Sequence, residues 1–89
     1  MSFRVFLYEE VVERIESYTS KERQCVYENL DRLAEAPIKL SRRSAPPASL
    51  PGYQLFTFFC NKVYFNVTFK YADTIDEATL IIYGIGRAG

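Results

Sequence analysis

The stretch that decides the fold is Val63-Tyr64-Phe65-Asn66-Val67-Thr68-Phe69-Lys70-Tyr71. Apolar residues occupy every second position: Val63, Phe65, Val67, Phe69 and Tyr71 on one side, with Tyr64, Asn66, Thr68 and Lys70 on the other. Successive strand side chains point to opposite faces, so this segment presents one face to a core and leaves the other open. Upstream, Tyr53 to Phe59 has the aromatic and branched content of a partner strand, and Cys60-Asn61-Lys62 is short enough for a hairpin turn. Downstream, residues 72–78 read as an acidic loop and Thr79 to Ile85 as a last strand, which completes a three-strand meander.

Towards the N-terminus the period changes from two to that of a helix. Val26, Leu30 and Leu33 form an apolar seam flanked by Cys25, Tyr27 and Ala34, with Glu28 and Arg32 spaced for an i,i+4 pair. Thr19 followed by Glu22 has the form of a capping box, so this helix begins there, and Pro37 stops it. Tyr8, Val11, Val12, Ile15 and Tyr18 share one stripe of an earlier helix whose remaining positions hold Glu9, Glu10, Glu13, Arg14 and Glu16. Phe3 to Leu7 is a short strand, and residues 37–52, with Pro37, Pro46, Pro47, Pro51 and Gly52, are a loop.

The expected class is therefore α+β, in the order β-α-α-β-β-β: a helical hairpin packed on one face of a mainly antiparallel sheet. Val63, Phe65, Val67 and Phe69 are expected beneath Val12, Ile15, Val26, Leu30 and Leu33. Gln54, Phe56, Phe58, Tyr64, Asn66, Thr68 and Lys70 are expected on the open face.

Composition sets the bounds on this scheme. The 89 residues suit a single domain spanning 1–89, with a thin core that buries roughly 60% of the unfolded surface. No apolar run reaches the ~18 residues of a membrane span, and the first residues lack the pattern of a secretory signal; a cytoplasmic protein is expected. There is no histidine, which excludes Ser-His and Cys-His hydrolysis and leaves no set of ligands for a metal; no cofactor is expected. Cys25 and Cys60, 35 residues apart, read as small apolar residues rather than as a disulfide framework.

Net charge is zero but unevenly spread. Residues 37–72 hold Lys39, Arg42, Arg43, Lys62 and Lys70 and no acid, whereas residues 1–36 carry eight acids and five bases. Such segregation can leave a basic face for phosphate or an acidic partner, and Lys39, Arg42, Arg43 and Lys70 are the candidate nucleic-acid contacts. The alternative is that these are solvated charges at the ends of short strands.

The element order, with Leu33 and Pro37, Leu50-Pro51-Gly52-Tyr53, Lys62-Val63-Tyr64-Phe65-Asn66-Val67 and Ile85-Gly86-Arg87, resembles the RelE/ParE family of type II toxin–antitoxin toxins over nearly the whole chain. The resemblance implies a toxin that arrests growth, stabilises plasmids and binds a cognate antitoxin. For the RelE branch it implies a metal-independent, ribosome-dependent mRNA endoribonuclease with basic residues on the sheet. Carried over, those roles fall on Lys62 and Arg87 as cations for the transition-state phosphate and on Tyr64 as a proton carrier. The positions where RelE-like enzymes carry sheet lysines hold Gln54 and Phe56 here, and no tyrosine follows Arg87. The ParE branch implies a DNA gyrase inhibitor with no nuclease site, and a degenerate member that only binds a protein is the third reading. Phe56, Phe58 and Tyr64 on the open face then form the partner-binding patch, for an antitoxin or a second copy of the chain, ahead of base stacking.

Overall fold

The computed structural model describes residues 3–40, 42–43, 53–72 and 78–88, with Arg42, Arg43 and Ala88 described by their backbone. The expected loop residues Pro46, Pro47, Pro51 and Gly52, and the acidic residues 73–77, lie outside the described residues. In chain order the elements are β1 (Arg4–Leu7), α1 (Glu9–Glu16), α2 (Ser20–Glu35), α3 (Pro37–Leu40), β2 (Arg42–Arg43), β3 (Tyr53–Cys60), β4 (Val63–Tyr71) and β5 (Thr79–Ala88). The sheet order is β1-β5-β4-β3-β2; β1 runs parallel to β5 and every other pairing is antiparallel. The α+β class, the helical hairpin and the meander are as the sequence predicts. No described helix is long and apolar enough to cross a membrane.

Helix α2 starts where the capping box places it. Thr19 Oγ1 accepts from the Glu22 N–H at 3.2 Å, and Glu22 Oε1 accepts from the Thr19 N–H at 3.2 Å, so two donors left over at the helix start are satisfied reciprocally. Its seam, Val26, Leu30 and Leu33, is buried together with Val11 and Ile15 of α1 and with Phe65, Val67 and Phe69 of β4. Within the first stripe Val11 and Ile15 are buried, whereas Val12, expected in the core, is only half-buried. Glu28 accepts from Gln24 at 3.2 Å and Arg32 donates to Asn29 at 2.8 Å, in place of the expected Glu28–Arg32 pair.

Five expectations are corrected. Pro37 does end α2, but it also opens the short helix α3, because a proline at a first helical position has no N–H to lose. Strand β2 then adds Arg42 and Arg43 to the sheet edge, opposite Leu55 and Gln54, where a loop was expected. Strand β5 continues to Ala88, which puts Gly86 and Arg87 inside the sheet rather than beyond it.

The fourth correction concerns Phe56 and Phe58, which lie in the core at 3% and 6% exposure, not on the open face. The turn is Asn61-Lys62 alone, both with positive φ (50° and 66°), and it pairs Cys60 with Val63. Directly opposed residues share a face, so Phe58 lies beside Phe65, and Phe56 beside Val67. Counting three turn residues instead of two slips the strand by one position and inverts its faces. Tyr53, Leu55, Thr57 and Phe59 are the residues of β3 on the open side.

The fifth correction is a disulfide between Cys25 of α2 and Cys60 at the end of β3, with Cα atoms 6.1 Å apart. Packing α2 on the sheet brings together two residues separated by 35 positions, and nothing in their spacing signals it.

Candidate functional site

The open face of the sheet is built by register. Phe6 lies opposite Ile81, Ile81 opposite Lys70 and Lys70 opposite Tyr53, so one row crosses four strands. A β-bulge in β5 adds Tyr83 to this end: Phe69 pairs with Ile82 and Thr68 with Gly84, which leaves Tyr83 as the extra residue. The result is a chain of ring contacts. Phe6 to Tyr8 measures 5.4 Å between centroids, Tyr8 to Tyr83 5.2 Å and Tyr83 to Tyr53 4.9 Å, and the Lys70 ammonium sits 5.9 Å from the Tyr53 ring. Beside it, Tyr8, Tyr83, Glu9, Glu10 and Glu13 line a cleft of about 500 Å³.

Within this cluster the Tyr83 phenol holds its proton. Hydrogen bonding to Tyr8, then desolvation, then the neighbouring Tyr8 and Tyr53 oxygens push Tyr83 up to about 12. On the helix side, burial raises Tyr18, against the opposing charges of Arg14 and Arg87. A phenol whose pKa is raised is a neutral donor at ordinary pH, not a base.

The far end of the open face carries a second aromatic pair, Phe59 and Tyr64, opposite one another with ring centroids 4.8 Å apart and 56% and 55% exposed. Between the two ends the described side chains of the face are small and uncharged. Thr57 donates to Asn66 Oδ1 at 2.6 Å, and a Cβ built on Gly84 or Gly86 would meet nothing within 4 Å.

Placed on this frame, the residues proposed for catalysis do not converge. Lys62 is exposed in the hairpin turn. Tyr64 is on the open face beside Phe59. Arg87 pairs with Phe65, whose side chain is fully buried under the helices, and its guanidinium is on that same side. There its Nη2 donates to Glu22 Oε1 and Oε2 at 3.1 and 3.0 Å and its Cζ lies 5.6 Å from the Tyr18 ring. The bulge explains this orientation. Alternation from Leu80 and Ile82 would send residue 87 to the open side, and the extra residue at Tyr83 turns Ile85 and Arg87 back towards the helices.

Of the proposed nucleic-acid contacts, the backbones of Arg42 and Arg43 lie opposite Leu55 and Gln54, near the strand end where Lys70 meets Tyr53. Lys39 is exposed on α3. Lys62 is at the other end of β4, roughly 25 Å from Lys70 at ~3.3 Å per strand residue. Sequence reasoning missed Phe59, Tyr53, Tyr8 and Tyr83. A two-residue Asn61-Lys62 turn would have exposed the first two, but nothing local announces the bulge that places Tyr83.

No protein-family model matches this sequence, and no curated protein aligns with it significantly. Solved structures do match. A chain of the RelBE2 toxin–antitoxin complex of Mycobacterium tuberculosis superposes with a TM-score of 0.79 at 10% identity, over 99% of this chain and 100% of that one. A chain of the intact Escherichia coli RelBE toxin–antitoxin complex gives 0.70 at 12% identity, over 99% of both. The isolated E. coli RelE toxin gives 0.70 at 12% identity, over 99% of this chain and 86% of the toxin. With the same hairpin of helices laid on the same sheet, this chain has the fold of the RelE toxins.

Proposed function

We propose that this chain is the toxin-fold member of a type II toxin–antitoxin pair and that it acts by binding a protein, not by cutting mRNA. One observation carries the second half of this reading: Tyr64 lies on the open face beside Phe59, whereas Arg87 is held by Glu22 on the opposite, helix side of the sheet. Cleaving a phosphodiester by charge alone needs groups preorganised around one phosphate, and Tyr64 and Arg87, on opposite sides of the sheet, do not face the same one. The first half is supported by the likeness to chains of toxin–antitoxin complexes.

The surface suited to a partner is the open face. Its two aromatic ends, Phe6/Tyr8/Tyr83/Tyr53 and Phe59/Tyr64, supply large rigid contact area, and its glycine-floored middle lets a chain approach the sheet. Antitoxin binding here takes the place of the Phe56/Phe58 patch, whose side chains belong to the core.

The test is induced expression in a bacterial host, with and without the small acidic reading frame expected beside the gene. Growth should arrest with the chain alone and recover with its neighbour. Primer extension on translating mRNA should show no new 5′ ends, and Lys62→Ala should arrest growth as well as the parent. Codon-positioned cleavage that disappears in Lys62→Ala would reverse the reading in favour of a nuclease.

A further inference from the structure

We propose that the Cys25–Cys60 bond is a thiol-exchange site of the folded protein, opened from the Cys25 side by a small-molecule thiol of the glutathione class. The two sulfurs are not equivalent. Cys60 is 2% exposed at the end of β3, whereas Cys25 is half-buried on α2, which makes the Cys25 side the approach for a solution thiolate.

One buried polar side chain reaches the bond from within an otherwise apolar core. Asn29 is 7% exposed, and its Nδ2 lies 3.5 Å from Cys25 Sγ and 3.5 Å from Cys60 Sγ. The amide is fixed from both ends: Nδ2 donates to the Cys25 carbonyl at 2.8 Å, and Oδ1 accepts from Arg32 Nη1 at 2.8 Å. A backbone-anchored amide polarised by a guanidinium is a donor aimed at the sulfur pair, and a donor on a sulfur favours its anion.

The exchange then runs in two steps. A thiolate attacks Cys25 Sγ, a new sulfur–sulfur bond forms, and the electron pair of the old bond leaves on Cys60, next to the Asn29 N–H, before taking a proton from solvent. A second thiol attacks the mixed disulfide and releases Cys25 as a thiol. Two small-molecule thiols are thereby oxidised to their disulfide, and the protein gains two electrons and two protons. Opening the bond unties α2 from the tip of the β3–β4 hairpin, where Cys60 sits among Phe59, Lys62 and Tyr64.

The experiment uses the full chain purified under oxidising conditions and reduced glutathione as the probe, with acid quenching, alkylation and mass spectrometry; circular dichroism confirms that it stays folded. The expected result is a transient glutathione adduct on Cys25, then two free thiols, at a rate that rises linearly with glutathione and ignores low urea. A rate that plateaus with glutathione and climbs steeply with urea, an adduct on Cys60, or free thiols in the oxidised preparation would each overturn the proposal. In folded Asn29→Ala the opening should slow about five-fold, the rate equivalent of one hydrogen bond. An unchanged rate would remove Asn29 from the mechanism.

Discussion

Arg87 and Glu22, 65 residues apart in sequence, meet on the helix side of the sheet, the guanidinium donating to both carboxylate oxygens at 3.1 and 3.0 Å. Glu22 has a second duty, since its Oε1 also accepts from the Thr19 N–H and hydroxyl at 3.2 and 3.1 Å. The carboxylate therefore fastens the start of α2 to the last strand. Its side chain is 4% exposed and that of Arg87 55% exposed, so water already screens half of the pair.

That screening sets the size of the first prediction. Removing one partner of a fully buried pair costs about 3–5 kcal/mol, and an exposed pair contributes at most about 1. Arg87→Ala should fall between them, near 2 kcal/mol, by urea denaturation. A loss of growth arrest in this variant would therefore report stability first. A change below about 0.5 kcal/mol would show that Glu22 is satisfied by Thr19 alone.

The register of β3 gives the second. Phe58 is buried and stacked on Phe65 at 5.7 Å, whereas its neighbour Phe59 is 56% exposed. Phe58→Ala should cost about 3–5 kcal/mol and Phe59→Ala less than about 0.5. Phe59→Ala should instead weaken antitoxin capture while the melting curve stays in place. The reverse ranking of stabilities would put Phe56 and Phe58 back on the open face.

Much of the fold was legible because it rests on local rules. The alternation of Val63 to Phe69, the Thr19/Glu22 box and the Val26/Leu30/Leu33 seam each announce themselves within a few residues, and each is where the pattern puts it. The site was less legible because it depends on parity, which a single residue inverts. One residue fewer in the Asn61-Lys62 turn exchanged Phe58 for Phe59, and one residue more at Tyr83 moved Arg87 to the helix side. The Cys25–Cys60 bond depends on how α2 lies across the sheet, a tertiary fact with no spacing rule.

Lys62 carries the third prediction. Its φ of 66° is in the left-handed region, where a side chain costs about 1–2 kcal/mol and glycine does not. Lys62→Gly should leave the Cys60–Val63 register intact and stabilise the domain by up to about 1 kcal/mol, net of the freedom glycine gains in the unfolded chain. Destabilisation would mean that the lysine side chain makes a contact worth more than the strain. If growth arrest persists in this variant, Lys62 is discarded as a catalytic cation by a substitution that cannot be blamed on unfolding.

Tyr83 provides the last, through pH. Its pKa rises to about 12, first because of hydrogen bonding to Tyr8 and then by desolvation, from an ordinary value of 10. The folded state thus holds this proton more tightly than the unfolded chain does. The sign follows: the contribution is fully present below pH 10 and is lost as pH climbs from 10 through 12. Tyrosinate absorbance on the native protein should show a late step near pH 12 that is absent in Tyr83→Phe. In Tyr8→Phe the same step should move down towards 10, because the leading cause has been removed. A late step that survives Tyr83→Phe would assign it to another phenol, with Tyr18 and Tyr27, both also raised, as the next to substitute. A step that ignores Tyr8→Phe would leave the ring contact at 5.2 Å intact and deny the hydroxyl bond between the two.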